Sequence, residues 1–238
     1  GLSSVSTGGM VSITSGEGTL MSSGDLYLKT AGAGTKGISG IIALSTGDAT
    51  AGDSGEIFIA SGKGTALAGT ITVKPGGTDT GAGGDVVITA GLSAADAGGK
   101  VIVTSGDGMD VAGSSGALVV RTGTAVTFDS GVMALSTGDS TGDDSGSILI
   151  GSGAADAGKS GAVTIEAGIS TGNVGGEIVI TAGESTGTGG KVTISSGGDT
   201  STTSGDLLLL TAGASQVSGQ MLVNTGASDN GNSGAFYL

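Results

Sequence analysis

The sharpest chemical pattern in the sequence is Gly153-Ala154-Ala155-Asp156-Ala157-Gly158-Lys159-Ser160, which has the residue types and spacing of a phosphate-binding loop. In that chemistry, backbone N–H groups and a lysine ammonium cradle phosphate oxygens, and the loop must open into a helix whose N-terminus faces the anion. Here it leads into Gly161-Ala162-Val163-Thr164-Ile165, an alternation that reads as a strand, so the segment is expected to be a bend and not a nucleotide site. Gly32-Ala33-Gly34-Thr35-Lys36-Gly37 has dinucleotide-loop spacing and fails on the same ground. Carboxylates gather at Asp48 with Asp53, at Asp107 with Asp110, and at Asp139, Asp143 and Asp144. Such hard oxygen ligands suit calcium, and the last three are the weak metal candidates of the chain. Paired carboxylates also hydrolyse glycosidic bonds, but that chemistry needs loops that wall a cleft.

The chain has no Cys and no His, which removes disulfides, thiolate nucleophiles, histidine bases and the usual zinc ligand sets. Its net charge of −13 arises from 21 acidic against 8 basic residues, so a phosphate backbone would be repelled and no nucleic acid partner is expected. No apolar run reaches the length of a membrane span. No enzymatic activity and no cofactor are expected.

The elements that carry these residues are set by a repeat. Glycines stand at 9, 24, 40, 55, 69, 84, 99, 116, 131, 146, 161, 176, 190, 205, 219 and 234, sixteen anchors whose fifteen intervals span 225 residues, a mean of 15. The longest interval, Gly99 to Gly116, exceeds that mean by only two residues, so no walls for a cleft are available. Two and four positions after each anchor stands a large apolar residue, as in Val11 and Ile13, Ile57 and Ile59, Ile148 and Ile150, and Phe236 and Leu238. Alternation of this kind marks a short strand with one covered face. Seven positions after most anchors comes a second glycine, as at Gly47, Gly91 and Gly183, and the pair reads as two corners that exploit positive φ.

These features predict an all-β chain, a single elongated parallel β-solenoid over residues 1–238 built of about sixteen 15-residue Gly-rich coils, with no second domain. Hairpin loops of two to five residues are too short for the spacing here, which disfavours an antiparallel meander. The position three after the anchor should point away from the inner seam. That column includes Tyr27, Phe58, Val87, Ile102, Val119, Leu149, Val179, Leu208, Leu222 and Tyr237, an apolar stripe expected to pack sideways against another copy. The last repeat stops just after its strand, and the first residues read as a corner without one. Leu2, Val5, Phe236, Tyr237 and Leu238 are therefore expected to meet end to end between copies.

In its mix of Gly and Asp the chain resembles calcium-loaded β-rolls, which carry Asp in every copy of a nine-residue pattern, whereas acids here skip many repeats. In repeat length it resembles the antifreeze β-solenoids of insects and plants, whose flat Thr-rich plane is not matched by a column that mixes Tyr27, Phe58 and Leu149. Its Gly, Ser and Thr richness resembles the tandem-repeat fibres and adhesin stalks of microbial surfaces. That resemblance implies a homopolymeric structural subunit, extracellular or at the cell surface. The alternative is a rigid surface-binding module, an adhesin stalk or an ice-binding protein.

Overall fold

A computed structural model describes residues 7–109, 113–198 and 203–237 of the 238-residue chain. The chain divides into two units, Gly1–Val120 and Arg121–Leu238. Both are built from the repeat unit seen in the sequence, but not by stacking it.

In the first unit four anchor glycines, Gly24, Gly84, Gly99 and Gly116, each close a ring with the corner before them. The N–H of Gly24 donates to the carbonyl of Gly16 at 2.9 Å, Gly99 to Gly91 at 2.9 Å, and Gly116 to Gly106 at 2.9 Å. The Thr30 hydroxyl donates to the Gly40 carbonyl at 3.2 Å, which brings the next anchor to its neck through a side chain. Between neck glycines the chain bends sharply once, as at 50–52, 79–81 and 94–96, and returns. The residues between one ring and the next form a short segment with no helix and no bend.

The second unit repeats this plan. Gly176 donates to Gly168 at 3.0 Å, Gly190 to Gly183 at 2.9 Å and Gly205 to Gly197 at 2.9 Å, with bends at 141–143, 156–158 and 171–173. Ring size varies while the neck does not. The span from Gly106 to Gly116 and the shorter one from Gly183 to Gly190 close with the same 2.9 Å hydrogen bond. Irregular repeat lengths are therefore absorbed inside the rings.

This arrangement corrects the expected parallel β-solenoid. Among the described residues there is no strand and no helix, and no side chain is buried. The backbone–backbone hydrogen bonds recorded among those residues all close necks, so neighbouring segments do not pair. The physical reason lies at the anchor glycines. At seven of them, Gly24, Gly84, Gly99, Gly116, Gly176, Gly190 and Gly205, the N–H is spent on the carbonyl of the corner before it, so there the chain closes sideways on itself instead of stepping about 4.8 Å to a rung above. The aliphatic pairs expected to form an inner seam, Ile57 with Ile59 and Ile148 with Ile150 among them, are consequently exposed.

The glycine corners are corrected as well. No glycine among the described residues has positive φ. At several anchors what demands glycine is space, whereas a Cβ on the second glycines Gly91, Gly168 and Gly183 would meet nothing within 4 Å. A Cβ on Gly176 would sit 3.0 Å from the Ala167 Cβ and 3.3 Å from the Gly168 nitrogen, and one on Gly190 would sit 3.2 Å from the Ala182 Cβ. Small residues just before the second glycine, including Ser61, Ala90, Thr137 and Ser152, line the same necks. The backbone can close there only where both partners are small.

Surface area measures the outcome. The chain exposes 23767 Å², whereas a folded monomer of its mass would expose about 9,300 Å² and its unfolded chain about 32,000 Å². The isolated chain keeps most of its apolar surface in water.

Candidate functional site

The part of this chain able to engage a partner is the short segment between rings. Its pleat is visible in the exposures. In the copy that starts at Gly55, Ile57 is 46% exposed, Phe58 80% and Ile59 68%; after Gly146, Ile148 is 48%, Leu149 95% and Ile150 66%. The middle residue is also the most exposed in Leu26-Tyr27-Leu28, Val86-Val87-Ile88, Val101-Ile102-Val103, Leu118-Val119-Val120, Ile178-Val179-Ile180, Leu207-Leu208-Leu209 and Met221-Leu222-Val223. Successive side chains thus leave the backbone on opposite sides, as extended backbone requires. The Tyr27 hydroxyl donates to the Asp25 carboxylate at 3.4 Å, which places the first and third positions of that segment on one side.

Each segment therefore offers a less exposed aliphatic side, a more exposed side and, among the described residues, backbone edges with no recorded backbone partner. A row of unpaired N–H and C=O groups beside alternating apolar side chains is also a template for pairing with another strand.

One cleft separates consecutive segments in the second unit. It is open, has a volume of about 360 Å³, and is lined by Leu209, Leu210 and Thr211 on one segment and by Gln220, Met221, Leu222 and Val223 on the next. No carboxylate, amine or imidazole faces it, so its chemistry is that of apolar contact with two neutral polar groups at the rim.

The residues singled out in the sequence fall as follows. Gly153–Ser160 runs through a bend at 156–158 and no helix follows Lys159, so the dipole and convergent N–H groups of a phosphate loop are not formed. Among the described residues no group of three or more acidic side chains converges to hold a metal ion. Asp143 is instead engaged locally: its N–H donates to the Ser140 hydroxyl at 3.3 Å, and its carboxylate accepts from the Asp144 N–H at 2.9 Å. The stripe residues Tyr27, Phe58, Val87, Ile102, Val119, Leu149, Val179, Leu208, Leu222 and Tyr237 are all exposed. Of the residues expected at end-to-end contacts, Phe236 and Tyr237 are exposed, while Leu2, Val5 and Leu238 lie outside the described residues.

Sequence reasoning took the corner acids as turn formers but missed the hydroxyls that cap the ring tips. Ser93 accepts from the Asp96 N–H at 2.9 Å and Ser170 from the Asn173 N–H at 3.0 Å, repeating the Ser140 arrangement. Asp96 and Asn173 then accept from the next N–H, at 2.7 and 2.9 Å. Thr78 and Ser185, at the same place in their repeats, accept from Gly81 at 2.8 Å and Gly187 at 3.0 Å. The signal was present as a hydroxyl nine positions after an anchor with Asp or Asn three further on, the pattern by which short side chains cap a turn. Ser140→Ala is expected to speed hydrogen exchange at the Asp143 amide roughly three- to ten-fold, with exchange in the ring at 168–176 unchanged.

Among the described residues no helix is long and apolar enough to cross a membrane. No known protein family matches the chain, and neither a characterised protein nor a solved structure is similar enough to match.

Proposed function

We propose that this chain is a structural subunit of an extracellular protein fibre, joined to copies of itself by strand pairing between molecules and by lateral contact of their apolar stripes. One observation supports the reading: segments with alternating apolar side chains recur along both units, and among the described residues no backbone hydrogen bond pairs one with another. Relative to a folded monomer the chain holds roughly 14,000 Å² of excess surface. A single standard interface removes about 800 Å² from each partner, so covering that excess takes neighbours on several sides, which is the condition of a polymer. The homopolymer is favoured over a foreign partner because every repeat offers the same pleat, so identical chains supply identical complementary edges.

The net charge of −13 and the open, uncharged lining of the cleft at 209–223 favour a structural role over a nucleic-acid or catalytic one. The extracellular setting follows from the fibre role.

Electron microscopy and fibre diffraction of the purified chain test the proposal. Raising the concentration should give long uniform threads with a reflection at about 4.7–4.8 Å, the spacing of hydrogen-bonded strands. Dispersed chains at all concentrations, or threads lacking that reflection, would overturn it.

A further inference from the structure

Resting on the fibre reading, the charge pattern of the segments fixes how neighbouring copies are set against one another. We infer that copies pair in parallel with an offset of one repeat, each segment lying against the next-numbered segment of its neighbour.

The first residue of each segment, directly after the anchor, is charged in seven repeats: Asp25, Glu56, Asp85, Lys100, Glu177, Lys191 and Asp206. If copies paired without offset, each of these would face its own like charge on both sides, which is destabilising in a strand pair. An offset of two repeats sets Asp25 against Glu56, Glu56 against Asp85, and Glu177 against Asp206, again like against like. At an offset of one, Asp85 faces Lys100 while Lys191 lies between Glu177 and Asp206. Asp25 and Glu56 then meet only the neutral Met10, Ile41 and Thr70. Among these three registers only the single-repeat offset has no like-charge contact at this position, and it gains three opposite-charge contacts.

The necks make such an offset geometrically even. The rings that lead into Lys100, Lys191 and Asp206 each close on a 2.9 Å hydrogen bond, from Gly99 to Gly91, Gly190 to Gly183 and Gly205 to Gly197, although the intervals that hold them run from 14 to 15 residues. Lys100, Glu177, Lys191 and Asp206 are exposed and stand on segments that, among the described residues, make no recorded backbone pairing with one another. Their complementary partners are left to a second copy. A contact between different surfaces of identical chains does not close, so the offset also makes the assembly open-ended.

The critical concentration for thread formation tests the offset. Lys191→Glu turns two attractive contacts repulsive at every junction and should raise that concentration about ten-fold, with the deficit shrinking as salt is added. Lys159→Glu, which changes net charge equally but sits in a ring, should stay within about two-fold of wild type. The triple exchange E177K/K191E/D206K restores opposite charges at the offset contacts and should return the concentration to near the wild-type value. Threads that form equally well with Lys191→Glu and Lys159→Glu, or a triple exchange that fails to restore assembly, would overturn the offset while leaving the fibre standing. A wild-type chain that forms no threads would overturn both.

Discussion

Chains carrying Ile178→Asp should remain dispersed at concentrations at least about a hundred-fold above those at which wild type forms threads, because between pleated layers the carboxylate loses its water without gaining a partner. Val179→Asp, one residue on, leaves the backbone on the opposite side and should weaken only lateral association of threads. The difference originates in the pleat, which leaves Ile178 51% exposed and Val179 71% exposed. Side-chain direction in extended backbone alternates strictly, so neighbouring positions cannot share a face. Because neither residue is buried in the isolated chain, both variants should match wild type in far-ultraviolet circular dichroism before assembly. That separates loss of pairing between molecules from loss of a fold within one. Pelleting assays with electron microscopy of the pellet would read the effect, and equal losses at both positions would refute the facing of the segment.

The alternation that sets Ile178 apart from Val179 was legible in the sequence, but the covered inner seam read from it was not, since Ile178 is 51% exposed. The rings were legible in part. The anchor and second glycines, such as Gly176 and Gly168, were recognised as the points where the chain turns, but assigned positive φ, which no glycine among the described residues has. Glycine is required both where φ is positive and where a neighbour stands too close for a Cβ, and the sequence shows the requirement without its cause.

Pairing was not legible at all. Backbone hydrogen bonds carry no side-chain signature, so segments that pair with the next repeat of their own chain and segments that pair with another molecule require the same alternation and the same spacing. The complementary charges of Glu177 and Lys191 suit either arrangement. The neck hydrogen bonds, which exist only in three dimensions, show where the described chain closes on itself and carry no signature in the sequence. The candidate calcium ligands failed for a related reason. Asp143 lies one residue from Asp144 and four from Asp139, yet its carboxylate is turned back onto its own ring by the Asp144 N–H.

If the necks hold the pitch of the segments, opening one should cost assembly more than its local hydrogen bond suggests. Gly176→Val places a branched side chain where a single Cβ already meets Ala167 at 3.0 Å and the Gly168 nitrogen at 3.3 Å, and the Gly176 N–H to Gly168 carbonyl bond of 3.0 Å cannot persist beside it. Overpacking of this kind costs about 1–3 kcal/mol, roughly ten- to a hundred-fold in ring closure. The Gly176 amide should then exchange with solvent like that of a free peptide. Ring opening also changes the distance between the segments ending at Glu166 and beginning at Glu177, so a neighbouring copy can match one of them but not both. Thread formation should fall by a comparable factor even though no apolar or charged residue of a segment has been altered. Gly172→Val supplies the control, because a Cβ at that ring tip has nothing within 4 Å. It adds the same side chain to the same ring and should leave both exchange and assembly at wild-type levels. A Gly176→Val chain that loses amide protection yet assembles normally would show that the necks shape the isolated chain without setting the spacing its partners read.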